Sequence, residues 1–406
     1  MKKQSKQLDN KSEFKAGGSL PPFFFCYFLL YSTRSLTTRR VDLRKWFKAG
    51  APLLMALFIA MGILAGCSNK PEYKQYKNTF ITVDGVEVFN TVFTVMAWEK
   101  SDKDWNEHYE KVQELVLKYH KLFDYYDEYE GVNNIMTINK QAGIKPVKVE
   151  QEIIDMIKQA KELYDATGQE TNIAMGSVTE IWHKVREHNM PGDGDEIEEA
   201  DMILPTQEEL DAAGQHTDFD RVIINEEEST VYLEDPEMKL DVGAIAKGYA
   251  AQLVADQLTE AGMPNGLMSA GGNIVSFGPP DLPEKKTWGV AITDPIDSNK
   301  YLDDVVFELK GRETVVSSGD YERFFTIGGK RYHHLIDPKT WQPGDYFAQV
   351  TVVTDDSGQA DFLSTTFFLL PYEEGVKLAE EMDIAVAWVF KDGTLKMNEK
   401  AKSMLK

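Results

Sequence analysis

Lys239-Leu240-Asp241-Val242-Gly243-Ala244-Ile245-Ala246-Lys247-Gly248-Tyr249-Ala250 reads as an extended segment ending at Asp241, a turn at Gly243 and a helix running from Ala244 to Ala261. A helix start exposes unpaired backbone N–H groups at the positive end of its dipole, a setting that suits a phosphate, and Lys247 lies one turn in, within reach of the same anion. The same residues also fit a plainer reading, with Asp241 as an N-cap-like residue and Lys247 solvated. The stretch alone leaves both open.

Working outward, alternating apolar residues predict strands near 86–95, 222–233, 266–277, 288–293, 305–309, 315, 332–336, 349–354 and 384–390. Val112, Leu115, Val116, Tyr119, Leu122 and Phe123 recur at the helical period and predict a helix over Asp104–Asp127. Further helices are expected at 151–167, 360–370 and 373–382. Residues 191–218 are rich in Pro, Gly, Asp and Glu and read as a surface excursion with a short helical stretch at 206–213. Strand clusters with helices interspersed, lacking the alternation of a doubly wound sheet, give an α+β class: mixed, largely antiparallel sheets with packed helices, in two lobes around a cleft.

The chain has 406 residues, with 44 Lys+Arg against 66 Asp+Glu. Eleven of the basic and three of the acidic residues fall before Cys67, so the rest carries 33 against 63, a net −30. So acidic a surface repels phosphate backbones and excludes nucleic acid as a partner. Arg44, Lys45 and Lys48, the apolar run Ala51–Ile63 and Leu64-Ala65-Gly66-Cys67 read as a bacterial export signal ending in a lipobox. The run is short for a membrane span. The expected organisation is a signal peptide over 41–66, lipidation at Cys67, a polar tether over 67–77 and a catalytic domain over 78–406. Residues 1–40, with a second apolar block at 21–31, fit no export signal and suggest a start site placed too far upstream. With Cys26 removed, Cys67 is the sole remaining cysteine, which excludes disulfides and cysteine metal sites.

Two further clusters carry chemistry. Asp361 and Thr365 stand one turn apart on one helical face, two hard oxygen ligands suited to a partial Mg²⁺ site, although Asp361 as a cap and Thr365 as a packing residue fit equally. Ser317-Ser318-Gly319-Asp320-Tyr321-Glu322-Arg323 precedes His333-His334-Leu335-Ile336-Asp337-Pro338. Adjacent strand residues point to opposite faces, so the two histidines make a poor joint metal site, with one expected in a cleft and the other in solvent. Gly271-Gly272-Asn273 lacks the spacing of a phosphate loop and reads as a tight turn.

Taken in order, the stretches from Asp241 to Tyr249, Ala270 to Asn273, Ser318 to Arg323, His334 to Pro338 and Ala360 to Thr365 resemble the bacterial FAD:protein FMN transferases, the ApbE family. Asn172-Ile173-Ala174-Met175-Gly176-Ser177-Val178 and Ile181-Trp182-His183 are similar to one version of its middle segment. The resemblance implies Mg²⁺ held by Asp361, Thr365 and the Ala244 carbonyl, FAD contacts from Asp241 and Lys247, and an aromatic flavin-site position at Tyr126. Phe89 and the Thr171-Asn172 pair occupy flavin-binding positions where many members carry other residues, as Trp341 does after the His334 segment, so flavin and adenine packing depart from the common pattern. The implied reaction is Mg²⁺-assisted attack of a Thr or Ser hydroxyl on the FMN phosphorus of FAD, releasing AMP. His334 is the candidate proton acceptor, with an ordinary pKa near ~6.5, and Asp337 the candidate that orients it. The implied acceptors are extracytoplasmic flavin-carrying redox proteins, reached from a lipid-anchored position on the cell membrane. An FAD pyrophosphatase giving FMN and AMP, and a non-catalytic FAD-binding lipoprotein, are the alternatives.

Overall fold

Eight strands lie side by side in one sheet in their chain order: β1 Lys74–Phe80, β2 Phe93–Glu99, β3 Gly266–Ala270, β4 Asn273–Ser276, β5 Thr314–Gly319, β6 Phe347–Thr354, β7 Ala385–Phe390 and β8 Leu395–Met397. Every neighbouring pair is antiparallel. This computed structural model describes residues 73–190, 197–263, 265–280, 282 and 285–406, which belong to one compact unit. The expected leader, Cys67 and the first part of the tether lie outside the described residues. The ordered chain begins earlier than the expected Asn78, because Lys74–Lys77 already pair with Met96–Glu99.

Alternation along the strands divides the interior in two. Val350, Val352, Val386 and Trp388 point into the large core, whereas Val353, Val315, Ala385 and Ala387 join a second cluster on the opposite face with Trp288, Val290, Phe307 and Leu309. That second face is covered by the antiparallel ribbon Trp288–Thr293 and Tyr301–Leu309.

The helices are α1 Asp102–Phe123, α2 Ile135–Lys140, α3 Gln151–Ala166, α4 Gly176–Asn189, α5 Gln207–Gly214, α6 Ala246–Glu260, α7 Ser357–Leu369, α8 Tyr372–Glu381 and α9 Glu399–Ser403. Helix α1 forms where its sequence predicts: Ser101 accepts from Asp104 N at 3.1 Å as N-cap, and Trp105, Val112, Leu115, Val116, Tyr119, Leu122 and Phe123 are buried. Helix α7 differs in kind, being buried on all sides against α6, α3 and the sheet. Two of its hydroxyls bond back within the helix, Thr366 Oγ1 donating to Phe362 O at 3.1 Å and Ser364 Oγ to Asp361 O at 2.8 Å.

A satellite cluster of Met175, Val178, Trp182, Val185, Leu210, Phe325 and Ile336 joins α4 and α5 to the hairpin Phe324–Ile327 and Lys330–His333. The expected two lobes are not separate units: the described residues form one compact unit, whose large core and satellite cluster both contribute residues to a single cleft. Among the described residues no helix is long and apolar enough to cross a membrane.

Candidate active site

The stretch that starts α6 is held from below by the segment that starts α4. Asp241 N donates to Ile173 O at 2.8 Å, and Gly176 N to Lys239 O at 2.9 Å. A side chain at Gly176 would put its Cβ 2.6 Å from Lys239 O, so only glycine permits this approach. The Asp241 carboxylate accepts from Thr179 Oγ1 at 2.7 Å and from Gly243 N at 2.9 Å. It fixes the turn and is not a helix cap. The helix begins at Ala246, with Ile245 at the N-cap, two residues later than the sequence suggests.

The helix start does hold an anion, and that anion is a side chain. Gly248 N donates to Asp361 Oδ2 at 2.8 Å, while Lys247 Nζ lies 3.9 Å from Asp361 Oδ1 and 3.3 Å from Gly243 O. Asp361 is only 4 % exposed, and burial raises its pKa above the ordinary carboxylate value despite the opposing Lys247 charge and Gly248 N–H. A buried carboxylate whose nearest ammonium stands off at 3.9 Å has room for a further cation. Thr365 and Ala244 line the same cleft, and Ser318 Oγ lies 3.4 Å from Thr365 Oγ1. These hard oxygen donors fit Mg²⁺. Among the described residues no group of three or more His, Cys, Asp or Glu is placed to hold a metal ion together, so Asp361 is the one carboxylate of this candidate site and the other donors are a hydroxyl and a carbonyl.

The opposite wall is aromatic and cationic. Tyr125, and not the expected Tyr126, lines the cleft; the Tyr126 ring packs against it with centroids 4.3 Å apart, and its hydroxyl lies 3.1 Å from His183 Nδ1. Tyr126 is half exposed, and burial followed by the Asp241 charge pushes its hydroxyl up to about 12. Arg186, Arg323 and His334 complete the wall. His334 Nδ1 is buried without a hydrogen-bond partner, and burial, then Arg323 and the other nearby cations, hold the ring well below the ordinary histidine pKa. At neutral pH its ring is an unprotonated acceptor. His333 goes the other way but not to solvent. It is 3 % exposed, with Nε2 donating to Gly344 O at 2.7 Å and Nδ1 accepting from Leu335 N at 3.2 Å.

Most residues singled out from sequence converge here: Asp241, Ala244, Lys247, Asp361, Thr365, His334, Thr171 and Asn172 all line the cleft. The last two also brace it, Thr171 Oγ1 lying 2.9 Å from Thr366 Oγ1 and Asn172 Nδ2 donating to Thr217 O at 2.8 Å. Phe89 is not in the cleft wall. It adopts a left-handed backbone (φ 52°) and packs on Phe93 and His120, leaving Thr91 to line the cleft. Asp337 does not orient His334, because its carboxylate accepts from Lys339 N at 2.7 Å and closes a turn. Sequence reasoning missed Thr179, His183 and Arg186 as a set. They recur at i, i+4 and i+7 beside the apolar Val178, Trp182 and Val185, an amphipathic pattern that marks a polar helix face turned to a cleft.

The sequence model of the ApbE family matches residues 89–389. The chain belongs to the ApbE family. It is 30% identical over 292 residues to the FAD:protein FMN transferase of Klebsiella pneumoniae, covering 70% of this chain and 84% of the relative. The FAD:protein FMN transferase of Escherichia coli is 25% identical over 342 residues, covering 84% and 92%. The crystal structure of the ApbE protein from Thermotoga maritima superposes with a TM-score of 0.69 at 24% identity, over 82% of this chain and all of that one. That likeness shows a common ApbE fold, the α+β architecture expected from sequence.

Proposed function

We propose that the protein is an FAD:protein FMN transferase that moves FMN from FAD to a Thr or Ser hydroxyl of extracytoplasmic redox proteins and releases AMP. The observation that carries this reading is the Asp361 carboxylate, buried, pinned to the start of α6 and sharing one cleft with His334. Asp361, Thr365 and the Ala244 carbonyl would hold Mg²⁺, which supplies charge neutralisation to a pyrophosphate when bound. Lys247 adds a fixed cation to the same phosphates, as an acidic protein requires for a polyanionic substrate.

The acceptor oxygen attacks the FMN phosphorus, the bond from that phosphorus to the bridging oxygen breaks, and AMP leaves with the electron pair. His334, neutral and lining the cleft, takes the hydroxyl proton on its unprotonated ring nitrogen. Its pKa is depressed before FAD binds, and the negative charges of the pyrophosphate raise it toward a value useful for a base. Tyr125, Tyr126 and His183 form an aromatic cluster, with ring centroids 4.3, 6.2 and 5.6 Å apart, that would offer a flavin ring apolar contact. The relatives bearing the transferase name and the sequence of Leu64-Ala65-Gly66-Cys67 support the reading of a lipid-anchored enzyme at the cell membrane.

The test incubates the protein with FAD, Mg²⁺ and candidate extracytoplasmic domains from the same genome, following intact mass and AMP. A mass gain of one phosphoester-linked FMN, lost when the acceptor Thr is changed to Ala, is expected. AMP without any mass gain would favour the pyrophosphatase, and neither product would favour a binding lipoprotein. Palmitate labelling that survives Cys67→Ala would remove the anchor from this reading.

A further inference from the structure

Two walls of the cleft hang on one histidine that no part of the mechanism uses. His120, in the last turn of α1, has Nδ1 3.2 Å from Phe89 N and Nε2 3.0 Å from the Tyr129 hydroxyl. A backbone N–H can only donate, so Nδ1 is bare and the neutral ring carries its proton on Nε2. That proton goes to the Tyr129 oxygen, whose own hydrogen goes to Asp124 Oδ2 at 2.7 Å. Asp124 Oδ1 in turn accepts from Tyr126 N at 2.8 Å and Asp127 N at 3.3 Å. Every donor and acceptor in this chain has one direction. Burial lowers the His120 pKa against the opposing charges of Asp124 and Asp127, which keeps the ring in the neutral form the geometry needs.

The chain begins at the strained turn Phe89-Asn90, two consecutive non-glycine residues with φ 52°, a conformation that persists only when its surroundings hold it. The turn carries Thr91 to the cleft wall and receives Arg323, whose Nη2 lies 3.4 Å from Asn90 O. The chain ends at the backbone of Tyr126, beside Tyr125 in the facing wall.

We propose that His120 is a positioning residue that locks the Phe89–Thr91 turn and the Tyr125–Tyr126 segment into one rigid flavin-binding frame, an inference that rests on the FAD reading for its ligand but not for its geometry. The chemistry lies in Nδ1, the acceptor for Phe89 N. Asparagine places an acceptor oxygen near that position, whereas alanine places nothing.

The test compares His120→Ala and His120→Asn in the full chain by amide hydrogen exchange of segments 86–92 and 124–130 and by FAD affinity with Mg²⁺, read from flavin fluorescence. In His120→Ala, exchange in both segments accelerates at least tenfold and FAD binding weakens by about tenfold, while α3 and β6 keep wild-type protection. His120→Asn restores the 86–92 segment and most of the affinity. Unchanged exchange in His120→Ala, or equal loss in both variants, overturns the proposal. Should wild type bind no FAD, the transferase reading fails, and the exchange result alone still decides whether His120 holds the frame.

Discussion

Replacing Gly248 with alanine separates packing from helix propensity. In an exposed helix the change would stabilise the protein by about 1 kcal/mol. Here the added Cβ would stand 2.0 Å from Ser357 O, 2.6 Å from Asp361 Cβ and 2.8 Å from Ser357 C. The first neighbour is a backbone carbonyl at the start of α7, which cannot swing aside, so α6 and α7 must part by more than an ångström to reach contact distance. Overpacking of this kind costs about 1–3 kcal/mol. The same displacement stretches the bond from Gly248 N to Asp361 Oδ2, a charge-assisted contact contributing roughly 1.5–3 kcal/mol. Set against the propensity gain, the expected outcome is a net loss of about 3 kcal/mol by urea unfolding, with Mg²⁺-dependent AMP release falling at least tenfold because Asp361 has moved. A Gly248→Ala protein as stable as wild type, or more so, would refute the reasoning that this close approach sets the carboxylate.

Asp361→Asn keeps an oxygen for Gly248 N but removes the charge. Without Mg²⁺ it should unfold at or above the wild-type midpoint, since an incompletely compensated buried carboxylate is lost, whereas the wild-type gain with added Mg²⁺, about 2.7 kcal/mol at a hundredfold excess over Kd, should vanish and AMP release fall about 10²-fold or more. His333 is held at about 4 against an ordinary 6.5 by burial. Its folded value lies below its unfolded one, so its stability contribution is complete above pH 6.5 and is lost as pH falls toward 4, a change of about 3 kcal/mol. His333→Gln keeps a donor for Gly344 O and should flatten urea stability between pH 6.5 and 4; an unchanged slope would show that other groups control it.

The parts of the site legible in the sequence are those whose signal is local. Asp361 and Thr365 lie one turn apart on any helix, so their shared face followed from spacing alone, and the turn at Gly243 announced the start of α6. What stayed hidden depends on contacts between distant segments. That Asp361 is buried and clasped by Gly248 N needs α6 and α7 to touch, and α7, apolar on every side, carries no amphipathic period to say which face that is. Helix α4 was missed because its start has no side-chain cap and is fixed instead by Lys239 O, some sixty residues on. Strand alternation separated His333 from His334 correctly, but it could not show that the loop at Gly344 folds over His333 and keeps it from solvent. Likewise, the sequence pointed to Tyr126, whereas Tyr125 is the tyrosine that lines the cleft, on a backbone that the Asp124 carboxylate fixes by accepting from Tyr126 N.

The acidity of the chain and the chemistry of its cleft pull against each other, and the side-chain partners show how the conflict is resolved. Arg221, Arg312 and Arg331 each meet a carboxylate outside the cleft, at Asp235, Asp256 and Asp320. Arg186 and Arg323 line the cleft with no carboxylate bound among the described residues, and Lys247 reaches Asp361 only at 3.9 Å. The cleft lining sets Arg186, Lys247 and Arg323 against the carboxylates of Asp241, Glu322 and Asp361, so it is formally balanced in a chain whose net charge is −22, and an anion meets less repulsion there than the overall charge implies. A polyanion bound in the cleft is held chiefly by the cations nearest to it, and that attraction is screened by salt over about 8–10 Å. FAD affinity should thus weaken as ionic strength rises, in spite of the protein's overall negative charge. Strengthening with salt would mean that the global charge, and not the three cleft cations, governs the encounter.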